Sequence, residues 1–172
     1  MITERLRHIR LLLLDVDGVL TDGSIVYDDR GGEIKKFNVK DGLGLRLLMQ
    51  AGVQVGIITG RSSPALRHRC DNLGIDLVYE AAGDKTAALK DVLQRTDATA
   101  EKTAFMGDDL PDLPIMGQVG LAVTVADAPP ELHAAADITT SAPGGRGAVR
   151  ELCEKILKAQ GHWDRILAHF TP

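Results

Sequence analysis

The chain has 172 residues, and its formal net charge at pH 7 is −4. A chain of this length has the size of one domain and can bury a core without metal or disulfide cross-links. Its acidic balance argues against nucleic acid or an anionic membrane as partner. The apolar runs are too short for a membrane span or a signal peptide. We therefore expect a soluble, cytoplasmic enzyme that forms a single domain over residues 1–172.

Short apolar runs without strict alternation predict strands that are buried on both faces of a sheet. Five such runs end in small or acidic residues: Ile9–Leu14, Val53–Thr59, Leu77–Glu80, Thr103–Met106 and Gly120–Val125. Helical patterns lie between them, and the clearest are Lys85–Arg95 and Ala148–Ala159. The alternation predicts an α/β fold, a Rossmann-like three-layer sandwich with a mostly parallel sheet.

One segment interrupts this alternation directly after the first strand. Ser24–Tyr27 and Ile34–Val39 flank a turn of aspartate, arginine and glycine residues, which is the pattern of a β-hairpin. We therefore expect a small hairpin insertion over about residues 23–39 and a C-terminal tail over about residues 141–172. The intervals between the polar motifs described below leave no room for a separate cap domain.

Two aspartates follow the first strand in the sequence Leu14-Asp15-Val16-Asp17-Gly18. Open α/β sheets bind their ligands at the carboxyl ends of the strands. Two carboxylates two positions apart repel each other unless a cation lies between them, and Mg²⁺ is the usual cation beside phosphates. Taken alone, the pair is explained more simply as a polar turn after the strand.

Three further polar motifs fall at the same edge of the predicted sheet. Thr59-Gly60-Arg61 ends the second strand, Lys85 begins the helix after the third, and Asp108, Asp109 and Asp112 follow the fourth. Hydroxyl and backbone N–H groups bind phosphate oxygens, and an ammonium group adds positive charge there. A solvated lysine or an acidic helix start would explain each motif separately. Four motifs at one edge favour a phosphate site with a metal ion.

In the order DxDGxxT, TGR, lysine and GDDxxD, these motifs resemble the haloacid dehalogenase-type phosphohydrolases. The closer resemblance is to the 3-deoxy-D-manno-octulosonate 8-phosphate phosphatases. It rests on the hairpin, on Asn38–Gly42 and on the glycine-rich segment Pro143–Glu151, and it extends from about Ile9 to Leu157. Lys40 departs from the family pattern, in which arginine is expected, but the positive charge is kept.

The resemblance implies a capless, Mg²⁺-dependent phosphomonoesterase that acts in lipopolysaccharide precursor biosynthesis. It implies that Asp15 is the nucleophile, which forms an aspartyl-phosphate, and that Asp17 is the general acid and base. It also implies that Thr59 and Lys85 hold oxygens of the transferring phosphoryl group.

The resemblance also implies where the metal ion binds. Its ligands would be the carboxylates of Asp15 and Asp108 and the backbone carbonyl of Asp17. Asp109 and Asp112 would orient metal-bound water or the lysine from outside that ligand set.

A sugar-acid phosphate carries a carboxylate as well as a phosphate, so its site needs several cationic and polar groups. The residues expected to bind it are Asp17, Asn38, Val39, Lys40, Asp41, Gly42, Arg46, Thr59, Gly60, Arg61, Arg69 and Lys85. Arg61 and Arg69 are expected on one face of one helix. Without the resemblance, Arg46 is equally well explained by a surface ion pair.

The resembled family is a homotetramer in which the tail of one subunit reaches the active site of its neighbour. Four residues are expected to have that role here: Gly144, Gly145, Arg146 and Gly147. The simpler alternative is a flexible connection to a C-terminal helix.

Three other functions are alternatives to this one. A two-component receiver domain also gathers acids around Mg²⁺, but its adjacent acidic pair comes early, whereas Asp108-Asp109 comes late. A non-catalytic oligomerisation module is disfavoured because all four catalytic positions are filled. Within the enzyme class, a phosphatase for a nine-carbon 2-keto-3-deoxy sugar acid 9-phosphate stays an alternative.

Overall fold

The structure is a computed structural model that describes residues 1–171. It contains eight strands within that range: β1 (Leu11–Leu14), β2 (Val26–Tyr27), β3 (Glu33–Ile34), β4 (Gln54–Ile58), β5 (Leu77–Tyr79), β6 (Thr103–Gly107), β7 (Leu121–Thr124) and β8 (Ile138–Thr139). Six of them form one sheet in the order β5-β4-β1-β6-β7-β8, and every neighbouring pair is parallel. β2 and β3 pair antiparallel as a separate hairpin.

The helices cover both faces of the six-stranded sheet. They are α1 (Ile2–His8), α2 (Val39–Gln50), α3 (Pro64–Leu73), α4 (Lys85–Arg95), α5 (Leu113–Met116), α6 (Pro130–Ala135), α7 (Ala148–Ala159) and α8 (Trp163–Phe170). Apolar side chains of α1, α2, α3 and α7 pack on one face, and those of α4, α5 and α6 pack on the other. The predicted three-layer α/β architecture with a hairpin after the first strand is confirmed.

The central strand shows why a run of leucines specifies this fold. All four residues of β1 are fully buried. Leu12 and Leu14 enter one apolar cluster and Leu11 and Leu13 the other, because successive side chains of a strand point to opposite faces. A strand covered on both faces therefore reads as a continuous apolar run rather than an alternating one.

The sequence patterns missed four of the helices and strands and misplaced one boundary. α1, α5, α6 and β8 were not predicted, since each is short. Val39 was predicted to end a hairpin strand, but it begins α2. The reason is local capping: the side chain of Asn38 accepts a hydrogen bond from the backbone N–H of Lys40 at 2.8 Å and so starts the helix.

The hairpin is held by its turn rather than by long strands. The carboxylate of Asp28 accepts hydrogen bonds from the backbone N–H groups of Arg30 and Gly32, at 2.8 and 2.7 Å. Val26 and Ile34 are paired on one face of the ribbon and are 48% and 56% exposed, and Tyr27, on the other face beside Glu33, is 61% exposed. In residues 1–171, none of the helices has the length and apolar character needed to cross a bilayer.

Candidate active site

Three strand ends bring the predicted site residues to one edge of the sheet. β1 lies between β4 and β6, and the residues that directly follow these strands are Asp15, Thr59 and Asp108. Lys85 is the first residue of α4, which follows β5. β4 and β5 lie on one side of β1, and β6, β7 and β8 lie on the other, so the strand order reverses here. Open α/β sheets form ligand crevices at such a point.

A buried ion-pair network forms the centre of this site. The ammonium Nζ of Lys85 lies 3.0 Å from Oδ1 of Asp15 and 2.6 Å from Oδ1 of Asp112. The second oxygen of Asp112 accepts the backbone N–H of Asp108 at 2.9 Å. The carboxylates of Asp15, Asp108 and Asp112 each have an oxygen within 4.8 Å of the others. Asp112 therefore contacts the lysine, and it also lies among the possible metal ligands, where the sequence had placed only Asp15, Asp17 and Asp108.

The network has more negative than positive charge. Burial, together with the charges of Asp15 and Asp112, raises the pKa of Asp108 to about 8. Burial, followed by the charge of Asp112, also raises the pKa of Asp15. Burial acts to lower the pKa of Lys85, but the two carboxylates outweigh it and raise that pKa. The ammonium of Lys85 thus stays charged, while the excess of negative charge favours the protonated forms of Asp108 and Asp15 as long as no further cation is bound.

This donor set fits a hard divalent cation. Carboxylate oxygens are the ligands that Mg²⁺ takes in proteins, and a cation among the three aspartates removes their mutual repulsion. Gly18 lets the loop after β1 lie close to the Asp108 carboxylate, because a Cβ atom at this position would lie 1.9 Å from Oδ2 of Asp108. Its φ of +85° is also one that glycine adopts freely. The hydroxyl oxygen of Thr21 accepts the backbone N–H of Gly23 at 3.2 Å and helps to fix this loop.

Asp17 lies outside the three-carboxylate group and has its own partners. Its Oδ1 accepts a hydrogen bond from the ammonium of Lys35, and its Oδ2 lies 3.4 Å from Nε of Arg61. Glu33 pairs with both cations. Sequence reasoning missed Glu33 and Lys35. The available signal was their spacing of two residues in an extended segment, which places them on one face opposite the exposed Ile34.

A cavity of about 350 Å³ opens above these groups. Its lining residues are Asp15, Asp17, Gly23, Thr59, Gly60, Arg61, Lys85, Asp108, Asp109, Pro111 and Asp112. All four predicted catalytic side chains and the predicted metal ligands therefore surround one space. Thr59 is buried beside it, and Asp109 caps the short 3₁₀ helix at Leu110–Asp112 instead of facing Lys85.

The predicted sugar-binding residues outside the strand ends do not line this cavity. The residues concerned are Asn38, Val39, Lys40, Asp41, Gly42, Arg46 and Arg69. Arg46 donates to the backbone carbonyl of Asn72 at 2.5 Å and lines a groove between α2 and α8. Arg69 donates to the carbonyl of Asn38 at 3.2 Å. The expectation that Arg61 shares a helix with Arg69 is wrong, because α3 begins at Pro64.

Asp41 makes a structural contact that the sequence did not predict. Its side chain is buried, and Oδ1 accepts the backbone N–H of Arg150 at 2.7 Å. That N–H belongs to the first turn of α7, whose own N-cap residue, Gly147, has no side chain. Asp41 therefore caps α7 from α2 and ties the two helices together.

The glycine-rich segment lies against the loop after β1 of the same chain. The N–H of Gly145 donates to the carbonyl of Val19 at 2.9 Å, and Asn38 donates to the carbonyl of Gly145 at 3.3 Å. A Cβ atom on Gly144 would lie 1.7 Å from the carbonyl oxygen of Gly18. These contacts are intramolecular, so they explain the glycines by close backbone packing and give no support to a contact with a neighbouring subunit.

The parallel sheet with an acid–lysine site at its edge is typical of the haloacid dehalogenase-like hydrolases, and residues 77–151 match that family. The chain is 48% identical over 157 residues to the 3-deoxy-D-manno-octulosonate 8-phosphate phosphatase KdsC of Escherichia coli, a match that covers 91% of this chain and 84% of the relative. The chain therefore belongs to the family of 3-deoxy-D-manno-octulosonate 8-phosphate phosphatases.

Solved structures of this family superpose closely on the chain. The phosphatase of Moraxella catarrhalis, in complex with magnesium ion, phosphate ion and KDO, gives a TM-score of 0.96 at 42% identity, covering 99% of this chain and 98% of that one. The cobalt-bound deoxy-D-mannose-octulosonate 8-phosphate phosphatase of Haemophilus influenzae gives 0.89 at 46% identity, covering 91% and 92%. The chain therefore has the same fold as these two phosphatases.

The contact of Asp41 with α7 predicts a stability effect. Replacing Asp41 with alanine removes the cap, so we expect Asp41→Ala to lower the free energy of unfolding by about 1–2 kcal/mol. Chemical denaturation followed by circular dichroism measures this loss. Asp41→Asn keeps an acceptor oxygen and should lose less, and Asp71→Ala, at an exposed aspartate, serves as control. Equal stability of Asp41→Ala and Asp71→Ala would contradict the capping role.

Proposed function

We propose that the protein hydrolyses 3-deoxy-D-manno-octulosonate 8-phosphate to the free sugar acid and phosphate, with Mg²⁺ bound at Asp15 and Asp108. The observation that carries this proposal is the group of three mutually close carboxylates with one lysine, in a chain 48% identical to phosphatases of that name. This reaction would supply lipopolysaccharide precursor synthesis, and we propose that the protein acts in the cytoplasm.

Asp15 is positioned to act as the nucleophile. Its carboxylate lies at the end of β1, held at 3.0 Å from the ammonium of Lys85, and it lines the cavity. Attack on phosphorus forms a bond from an Asp15 oxygen and breaks the bond to the sugar oxygen, which gives an aspartyl-phosphate. Lys85 and the Thr59 hydroxyl, at the same edge, bind the oxygens of the phosphoryl group.

Asp17 supplies the proton transfers of both steps. It gives a proton to the departing sugar oxygen. It then takes one from the water that attacks phosphorus, which breaks the bond between phosphorus and the Asp15 oxygen, releases phosphate and regenerates both carboxyl groups. The carboxylates of Asp15 and Asp108 would hold a magnesium ion, with the Asp17 carbonyl as a third oxygen and Asp112 beside them, and the ion would offset the charge of the transferring phosphoryl group.

A nine-carbon sugar acid 9-phosphate is the alternative substrate, since the phosphoryl site would treat both esters alike. A panel of the eight- and nine-carbon esters and simple phosphomonoesters with Mg²⁺ distinguishes them. We expect the highest kcat/KM for the eight-carbon ester. A higher value for the nine-carbon ester would replace the proposed substrate, and no release of phosphate from any ester would refute the activity.

Replacing the nucleophile tests the mechanism. Asp15→Asn should lower kcat by about a thousandfold or more, because the amide does not form an acyl phosphate. It also removes one surplus negative charge, so we expect the thermal unfolding midpoint not to fall. Phosphate release and thermal unfolding measure the two effects. The matched control is Asp97→Asn, at an exposed aspartate, and activity of Asp15→Asn within tenfold of that control would remove the assignment.

Metal binding should depend on pH. The pKa of Asp108 is raised from 3.8 to about 8, so the metal-free fold loses stability from this group as pH rises between those values, since the unfolded chain ionises first. A bound cation displaces the proton. We therefore expect the rise in unfolding midpoint on adding Mg²⁺ to be larger at pH 8 than at pH 6. Asp108→Asn should show little rise, and the same rise at both pH values would contradict this account.

We further propose a homotetramer. The hairpin supports this proposal because Val26, Tyr27 and Ile34 expose apolar side chains on a ribbon of only two residue pairs, and such a ribbon is marginal alone. A neighbouring subunit would also enclose the cavity on its open side, where Lys40 and Arg46 of the same chain do not reach. Such a wall would let the site favour the sugar acid ester over simple esters.

The assembly can be measured directly. Light scattering after size-exclusion chromatography should give four times the mass of one chain. Replacing Tyr27 and Ile34 with serine removes apolar contact area at the hairpin and should shift the mass to smaller species, whereas the surface substitution Asp97→Asn should not. A monomer at micromolar concentration would refute the proposal.

A further inference from the structure

The carboxylate of Asp17 is held on both sides by cations. Its Oδ1 accepts from the ammonium of Lys35, and its Oδ2 lies 3.4 Å from Nε of Arg61. Glu33 completes the group, with Oε1 at 3.1 Å from Lys35 and Oε2 bonded to Arg61. Two carboxylates and two cations alternate around a closed circuit, so each oxygen of Asp17 has its own partner and the rotation of the side chain is restricted.

The lysine in this group is unusual in its burial. The side chain of Lys35 is 3% exposed, whereas that of the next residue, Lys36, is 78% exposed. Removing an ammonium group from water is costly in free energy unless carboxylates replace the water. Lys35 recovers this cost from Asp17 and Glu33, and for that reason the contact with Asp17 is specific. An exposed lysine such as Lys36 has no comparable need of its partner, Asp22.

We propose that Lys35 is a positioning residue for the acid–base steps: together with Arg61 and Glu33, it orients the carboxylate of Asp17 for proton transfer. This inference rests on the proposed phosphatase function. In the first step the proton moves from Asp17 to the leaving oxygen, and in the second a proton of the attacking water returns to Asp17. Lys35 exchanges no proton in either step. It fixes the direction from which the carboxyl group meets the reacting oxygens.

The position of Lys35 also links this orientation to the hairpin. Glu33 lies in β3, and Lys35 follows it at the same face, while Ile34 between them faces solvent. A subunit that covers Ile34 would hold the strand, and the strand holds the two charged side chains over Asp17. Assembly and proton transfer would then be coupled through one short strand, with no change in the phosphoryl-binding groups of the sheet.

Lys35→Met tests the proposal, with Lys36→Met as matched control on the opposite, exposed face. In p-nitrophenyl phosphate the leaving group departs without a proton, so the first step does not need Asp17, while water attack in the second step does. We expect a rapid burst of nitrophenolate at the rate of the control and a steady-state kcat lower by about tenfold or more.

With glycerol phosphate, whose leaving group needs a proton in the first step, kcat should fall at least as far, with KM changed by less than about threefold.

The burst separates positioning from loss of structure. Its amplitude counts the folded sites, so unfolded protein is not read as a slower rate. Lys35→Arg keeps the charge and should recover part of kcat. A burst slowed as much as the steady state, a steady-state rate equal to that of Lys36→Met, or no recovery in Lys35→Arg would overturn the proposal. If the wild type hydrolyses p-nitrophenyl phosphate but not the sugar acid ester, the proposed substrate fails, and the comparison of variants still decides the role of Lys35.

Discussion

The repulsion between Asp15, Asp108 and Asp112 is the constraint around which the molecule is arranged. One lysine neutralises part of it, and burial makes the remainder costly. A chain selected only for stability would place fewer acids here. Their presence is explained by a cation that the metal-free protein does not supply, and the raised pKa of Asp108 records the same imbalance. The excess of negative charge at this edge of the sheet thus favours a bound divalent cation.

The sheet determines where these charges meet. Buried leucines fix β1 in the middle, its two neighbours are parallel to it, and the residue after each strand must fall at one edge. For this reason the sequence was sufficient to place Asp15, Thr59, Lys85 and Asp108 together. Their positions follow from short-range patterns, an apolar run and the residue that ends it, which a single sequence displays.

The contacts that could not be predicted from the sequence join residues that are far apart along the chain. Lys35 meets Asp17 across 18 positions, and Asp41 meets Arg150 across 109. The burial of Lys35 depends on how the hairpin folds over the loop after β1, and that of Asp41 depends on how α2 and α7 cross. Neither arrangement can be read from the residues next to them in the sequence. Arg46 illustrates the opposite error: a cation in a suitable segment lies on a helix face that turns away from the cavity.

The groups proposed to bind the phosphoryl group and those expected to bind the sugar therefore come from different parts of the fold. The proposed phosphoryl-binding groups come from strand ends and from the start of α4, and all of them line the cavity within one chain. Among the residues described, the cavity receives nothing from α2 or from the glycine-rich segment, although both lie beside the loop that carries Asp17. These two elements therefore do not provide the contacts with the sugar. The hairpin does approach the cavity, because Lys35 contacts Asp17 and Glu33 contacts Arg61. The element that we propose to meet a neighbouring subunit thus also touches the residue that we propose for acid–base catalysis.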